Sequence, residues 1–332
     1  MVRAAQTTAL SPRPIPRVMA AGALAQQRVG FLGLGQMGTA HAVRLRSGGL
    51  GLTVYDRTIA HSAPLARVGA KVAPTVAALA DLSDLVFVSV SDAHAVREVL
   101  LGRRGLVRNL RSDRLVVNLS TVAPEEARSI AKRVERSNVH YLEALVGGNV
   151  EAARKGEVVF FVGGESADAE RAAPYLSLIG KPLPLLGPVG AGSSMKLVHD
   201  LLTIGNVALL AEGLAFADSL GLDHERVLDV LCQTGARSAM LETKREALAS
   251  RRYPAQFRLA LARKDLKLME ASAHHLGHSL RITREVRRLA DEGIVMDHGD
   301  DDFAVVYEVA RSRIEGRAPH VPEGPVEVAP VD

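Results

Sequence analysis

From residue 28 onward the chain alternates short apolar runs with amphipathic stretches, the pattern of βαβ units feeding a parallel sheet. Apolar runs over 29–32, 52–55, 85–89, 115–118 and 139–142 predict strands, and runs over 158–162 and 183–186 extend the same sheet. Between them, 39–46, 95–100 and 124–136 read as helices. The last opens on Pro124, at a position where a missing amide hydrogen is harmless.

Past Gly192 the strand-like runs cease and 3.6-residue periodicity takes over. The stretch 193–220 is apolar on most of its circumference, through Leu197, Leu201, Ile204, Ala208, Ala211 and Ala215, which predicts a helix buried on several sides. Further helices fit 224–232, 238–248, 261–276, 282–292 and 303–311. The expected fold is an α/β Rossmann-type doubly wound sheet over 28–190, followed by an all-α C-terminal domain over 191–312. A disordered leader (1–27) and a disordered tail (313–332) flank them. No internal repeat is evident.

The formal charge of +4 suggests a nucleic-acid partner until its location is examined. Residues 1–28 carry Arg3, Arg13, Arg17 and Arg28 with no acidic side chain, leaving 37 basic against 37 acidic residues elsewhere. With 4% aromatics, no Trp and no basic stripe, neither a stacking platform nor a phosphate-tracking surface is expected. Cys232, the sole cysteine, excludes an intrachain disulfide and a cysteine-based zinc site, which suits a reducing cytoplasm. No run of 18 apolar residues predicts a membrane span. Met19 is an alternative start, and the Arg-rich, acid-free leader is compositionally open to a transit-peptide reading.

The segment Gly33-Leu34-Gly35-Gln36-Met37-Gly38 sets G-x-G-x-x-G directly after an apolar strand and before a helix. Gly33 permits a tight turn, Gly35 lets a pyrophosphate approach the backbone, and Gly38 allows close helix–strand packing. The helix N-terminus supplies amides and partial positive charge to the phosphates. The next strand ends at Asp56, 23 residues after Gly33, where a carboxylate can receive the adenosine ribose hydroxyls. This context predicts a nicotinamide dinucleotide, NAD or NADP. Asp56 argues for NAD; Arg57 and Thr58 could instead bind a 2′-phosphate, and a solvated loop arginine is an equally open reading.

Four further stretches follow in order: Val117-Asn-Leu-Ser-Thr-Val-Ala-Pro124; Glu143-Ala-Leu-Val-Gly-Gly148 with Gly156 behind it; Gly190-Ala-Gly-Ser-Ser-Met-Lys196; and Lys264-Asp265-Leu266. Together with the glycine turn, over about residues 28–310, the chain resembles the β-hydroxyacid dehydrogenases, the family of 3-hydroxyisobutyrate dehydrogenase and 6-phosphogluconate dehydrogenase. The resemblance implies an oxidoreductase exchanging hydride between NAD(P) and a small hydroxy acid or its semialdehyde. It also implies an active site in the cleft between the domains, and helical domains that pair into homodimers.

By the same resemblance Lys196 is the general acid/base, a role that suits an amine shielded from water. Ser120 and Thr121 match residues that approach the nicotinamide end. Val90 and Ser91 lie in a loop lining the cofactor, and Lys264 contacts it from the helical domain. As residues alone, Lys196 and Lys264 are equally readable as exposed helix lysines. Phe257 is an apolar wall or ordinary core packing.

Two positions depart from the family. Many members carry Ser-Gly-Gly where this chain has Gly147-Gly148-Asn149, so the hydroxyl that usually binds a substrate carboxylate is absent. The Gly147 and Gly148 amides, or the Asn149 side chain, remain able to bind an anion. One helical turn after Lys196, Asp200 replaces the usual Asn, beside His199, which matches a histidine of 6-phosphogluconate dehydrogenases. An aspartate there favours a protonated lysine and disfavours a carboxylate substrate; its alternative role is a helix ion pair. These departures raise imine reduction as a second reading on the same fold, and a catalytically silent cofactor-binding protein as a third.

Other constellations carry less. His274, His275 and His278 have helical spacing but no convergent carboxylate or cysteine, so no metal is expected. The acidic stretch 297–302 lacks EF-hand spacing and is expected to cap the helix beginning at Phe303. Cys232 reads as a small buried apolar residue.

Overall fold

The computed structural model describes residues 28–317 and residue 319; the leader, the Met19 start and all but the first residues of the tail lie outside the described residues. Two compact units are present. One takes the chain up to Ser120 with 128–148 and 153–192; the other takes 121–127, 149–152 and the chain from Ser193 onward.

The first unit is built on a sheet of β1 (Val29–Leu32), β2 (Leu52–Tyr55), β3 (Lys71–Val72), β4 (Leu85–Val88), β5 (Leu115–Asn118), β6 (His140–Gly147), β7 (Val159–Gly163) and β8 (Lys181–Pro182). Their order is β3-β2-β1-β4-β5-β6-β7-β8. Pairing is parallel from β3 through β6, whereas β7 runs antiparallel to β6. The 3-2-1-4-5-6 arrangement is the doubly wound dinucleotide-binding order, expected from the alternating pattern and confirmed here. Every residue of β1, β4 and β5 is buried, as a parallel sheet covered on both faces requires. Leu32 is in register with both Tyr55 and Val88, so the carboxyl ends of β1, β2 and β4 are level. The winding reverses between β1 and β4, and α1 (Gln36–Ser47) starts there.

The flanking helices are α2 (Ala63–Arg67), α3 (Val76–Asp81), α4 (Ala93–Leu101), α5 (Pro124–Glu135), α6 (Val150–Lys155) and α7 (Ser166–Ile179). Thr75 caps α3 and Asp92 caps α4 through side-chain oxygens.

The strand expected over 183–186 does not form. The regular ladder ends with β8 at Pro182, although Leu183 and Leu186 still donate backbone bonds to Phe160 and Val162. Pro182 and Pro184 lack amide hydrogens and interrupt it. β3, two residues long, is too short to leave a periodic signal. β6 continues to Gly147, so most of the Glu143–Gly148 stretch is strand rather than loop.

The second unit contains α8 (Ala191–Ser219), α9 (His224–Leu231), α10 (Ala239–Ser250), α11 (Leu259–His275), α12 (Arg281–Val295) and α13 (Val306–Ile314). Its core packs Val207, Ala211 and Leu214 of α8 with Leu259, Leu266 and Met269 of α11 and Val309 of α13. The expectation that no segment could span a membrane needs correction. By length and composition α8 qualifies, with a mean hydropathy of 1.4 over 18 residues. It is apolar because one face forms this core. As expected, Asp302 caps the turn at Phe303, accepting from the Ala304 amide at 3.1 Å. α13 runs to Ile314, beyond the expected end at Arg311, and Arg313 there pairs with Glu292 at 2.6 Å.

Candidate functional site

The glycine turn joins β1 to α1 at the winding reversal, where open α/β sheets bind ligands. Gly33 has φ +93°, and a Cβ there would lie 2.1 Å from the Ser89 carbonyl. At Gly38 a Cβ would lie 2.0 Å from the Gly33 carbonyl. Gly35 differs: nothing lies within 4 Å of its Cβ position, and both it and Gln36 are exposed. Met37 is half-buried. Gly35 is also the N-cap of α1, so no side chain takes the first-turn amides. Open space over uncapped amides fits a dinucleotide pyrophosphate.

Leu34 is buried, and its amide donates to Asp56 Oδ2 at 2.6 Å. Asp56 Oδ1 accepts from the Thr58 amide at 2.7 Å and lies 3.1 Å from His61 Nδ1. Arg57 and Thr58 are exposed. The sequence reading did not single out His61; its only signal is a position five residues after Asp56, and a 3₁₀ turn (Ile59–Ser62) folds it back.

Ser120 is buried beneath the loop after β4. Its hydroxyl accepts from the Val90 amide at 2.9 Å, and its backbone exchanges two bonds with the Asn118 carboxamide. The Ser120 hydroxyl therefore holds the loop that carries Val90 and exposed Ser91. Ser91 in turn donates to Asp92, the α4 cap, at 2.7 Å.

In the second unit Lys196 and Asp200 are both buried, with Lys196 Nζ donating to Asp200 Oδ1 at 2.7 Å. His199 Nδ1 lies 3.0 Å from the same oxygen. Asp200 Oδ2 is buried and has no partner among the described residues. Burial pushes this carboxyl upward, but the charges and hydrogen bonds of Lys196 and His199 outweigh it and hold Asp200 below the usual carboxylate range.

Asp265, on α11, is fully enclosed near this pair. Burial raises it, the Asp200 charge raises it further, and Lys264 and Lys196 oppose both without reversing the direction. Lys264 Nζ lies 3.0 Å from Asp265 Oδ1, off the hydrogen-bond direction, and donates to the Thr121 carbonyl at 3.4 Å. Contacts and charges thus bring Thr121, Lys196, His199, Asp200 and Lys264 together. They add Asp265, which the sequence marked only as part of a motif.

The N-terminus of α8 is fixed by buried Glu143, whose Oε2 accepts from the Gly190 amide at 2.6 Å. Gly147 is imposed by the sheet: a Cβ there would lie 2.8 Å from Val159 and 3.0 Å from the Phe161 ring, which leaves no room for a side chain. Gly148 is exposed and has φ +142°. Asn149 Oδ1 accepts from the Ala152 amide at 2.9 Å as the cap of α6, and its Nδ2 donates to Gln256 at 2.7 Å. Phe257 packs edge-on against Phe303 at 5.5 Å, as ordinary core packing requires. His274, His275 and His278 are exposed, and no cluster of three metal-ligating side chains occurs among the described residues. Cys232 is half-buried against the helical core.

Comparison with known proteins places the chain in a family. Residues 28–190 match the NAD-binding domain of 6-phosphogluconate dehydrogenase, and residues 190–310 match the family described as NAD-binding of NADP-dependent 3-hydroxyisobutyrate dehydrogenase. The chain is 34% identical to 2-hydroxy-3-oxopropionate reductase of Escherichia coli over 82% of its length and 94% of the relative's. It is 30% identical to glyoxylate/succinic semialdehyde reductase 2 of Arabidopsis thaliana over 86% of its length and 79% of that protein's. The crystal structure of a 3-hydroxyisobutyrate dehydrogenase from Salmonella typhimurium superposes with a TM-score of 0.78 at 26% identity, covering 85% of this chain and 99% of that one. The glycine turn, the buried lysine and these matches together establish that the chain belongs to the β-hydroxyacid dehydrogenase family and is an NAD(P)-dependent dehydrogenase or reductase.

Proposed function

We propose that this protein interconverts a small hydroxy acid and its semialdehyde, with Lys196 as the general acid/base. The observation that carries the reading is the buried Lys196 ammonium, held by Asp200 at 2.7 Å. The nicotinamide supplies or takes the hydride. Lys196 Nζ, with one hydrogen on Asp200, keeps others to give to a carbonyl oxygen in reduction, and the resulting amine takes a proton from the alcohol in oxidation. The unpartnered Asp200 Oδ2 is an acceptor for a hydroxyl or amine on the substrate. The Asp200 charge disfavours a substrate carboxylate beside it.

The reductases above act on carbonyl acids by name, and that chemistry is the first assigned to this chain. Imine reduction is the second reading, favoured by Asp200, whose charge suits a cationic iminium better than an Asn would. A matrix of NADH and NADPH against glyoxylate, succinic semialdehyde, 2-hydroxy-3-oxopropionate and a cyclic imine tests both. Turnover of a semialdehyde supports the proposal; turnover of the imine alone overturns it.

The protein is further proposed to act as a homodimer through α8. Exposed Leu202, Leu209 and Phe216 recur every seven residues there, flanked by Val198 and Leu220, an apolar seam of the kind that pairs with a second copy of itself.

A further inference from the structure

The connection from α4 to β5, residues 102–114, is folded back on the end of its helix. The Leu106 and Val107 amides donate to the Val99 and Leu100 carbonyls at 2.8 and 3.1 Å, and the Leu110 amide closes a turn on Leu106 at 3.0 Å. A Cβ on Gly105 would lie 2.6 Å from the Leu100 carbonyl, so the backbone itself packs against α4. Leu106, Val107 and Leu110 are all buried. With its apolar side chains turned inward, the loop presents charge to solvent: Arg103, Arg104, Arg108 and Arg111 are exposed.

None of these four arginines makes a hydrogen bond or ion pair among the described residues. No acidic residue occurs between Gly102 and Ser112, and Asp113, which follows, lies 3.1 Å from His140 Nε2. By contrast, Arg28 and Arg114 share Asp84, and Arg251 and Arg313 each fork onto a glutamate. The next connection at this edge adds exposed Arg136, also without a partner among the described residues. The Asp113 amide joins the two connections by donating to the Asn138 carbonyl at 2.8 Å. Parallel pairing of β1, β4 and β5 puts this ridge at the amino edge of the sheet, opposite the glycine turn.

The balance of charge beyond residue 28 points away from a nucleic acid, but a phosphate meets the local field and not the sum over the chain. Exposed guanidinium forks with no apolar or aromatic residue among them lack the core that a protein interface needs and the anchors of a membrane-surface helix. An arginine fork takes two phosphate oxygens at once, and sequence-independent binding to a phosphate backbone needs charge alone.

We infer that the loop between α4 and β5 docks the phosphate backbone of duplex nucleic acid, without reading its bases. No aromatic side chain is there to stack on an unpaired base, so a single strand gains less than the denser phosphates of a duplex. The inference is independent of the carbonyl substrate, and the ridge leaves the dinucleotide site at the other edge free.

Fluorescence anisotropy of a labelled mixed-sequence DNA duplex with the full chain, from about 20 to 200 mM salt, tests this. The wild-type protein should bind the duplex more tightly than a single strand of equal length. Its affinity should fall as roughly the third to fourth power of salt concentration, the response of about four phosphate contacts. Replacing Arg103, Arg104, Arg108 and Arg111 together by Ala should lower affinity at least about tenfold at low salt and remove most of the salt dependence, with NADPH binding unchanged. Arg108→Ala alone should lower the salt exponent by about one. Arg252→Ala with Arg281→Ala, which removes exposed charges from the helical unit, should leave duplex binding as it is. No binding at about 20 mM salt, tighter binding of the single strand, or an unaltered salt response in the loop variants would overturn the inference. So would losses in proportion to charge removed at either place, because binding would then follow net charge and not this loop.

Discussion

Lys196 Nζ lies 2.7 Å from Asp200 Oδ1, one helical turn away on α8, with both side chains buried. A buried ion pair of this kind is weak evidence for stability, because desolvation offsets most of the attraction. Its consequence is chemical: it keeps an ammonium in place where water is scarce, and it puts a negative charge beside it.

Lys196→Ala should lower turnover by about 10²–10⁴-fold, the usual contribution of a positioned acid/base. Dinucleotide affinity should be unchanged. Steady-state rates alongside NADPH fluorescence titration check both, and undiminished turnover would remove Lys196 from the mechanism.

Asp200→Asn removes the charge and keeps the shape. The KM for an acid whose carboxylate adjoins the reacting carbonyl, such as glyoxylate, should fall severalfold, while any imine turnover should decline. A KM unchanged for every substrate would mean that Asp200 serves only as a helix ion-pair partner.

Gly35→Ala and Gly38→Ala should fail in different ways. A Cβ on Gly35 meets nothing within 4 Å, so the variant should melt like the wild type but bind dinucleotide poorly. A Cβ on Gly38 would lie 2.0 Å from the Gly33 carbonyl, a backbone atom that cannot swing aside. That variant should lose stability as well, read from thermal melts without ligand.

His41 on α1 is fully buried beside the Phe160 ring, neither ring nitrogen has a partner among the described residues, and burial lowers its pKa to about 4. The unfolded chain binds this proton near pH 6.5 and the folded chain does not, so stability falls as pH drops from 6.5 and levels off near 4. The shift corresponds to about 3 kcal/mol. His41→Leu should remove that part of the acid dependence, measured as the difference in urea midpoints between pH 7 and pH 4.5. Identical pH dependence in both proteins would contradict it.

Leu209→Arg places a charge in the proposed α8 seam. Light scattering should show a dimer for the wild type and a monomer for the variant, with NADPH binding retained. A monomeric wild type would leave the stripe without this partner.

The alternation of strands and helices, the glycine turn and the change to an all-helical second half were legible in the chain because each is a local pattern. Alternating apolar runs and G-x-G-x-x-G between a strand and a helix depend on residues within a few positions of one another. Lys196 was legible only through the resemblance, since a lone lysine on an apolar helix has no distinguishing period.

Tertiary structure decided the rest. The bond from the Leu34 amide to Asp56, 22 residues further along the chain, ties the glycine turn to the end of β2 and leaves no local trace in the sequence. Gly147 read as a missing hydroxyl until β7 packing left no space for one. Asp265 is raised first by burial in the packed helices and further by the charge of Asp200 on a different helix. Hydrophobic periodicity tells which face of a segment is buried but not which polar group it will meet there. Desolvation and close approach act between elements distant in sequence, and only the packed chain brings them together.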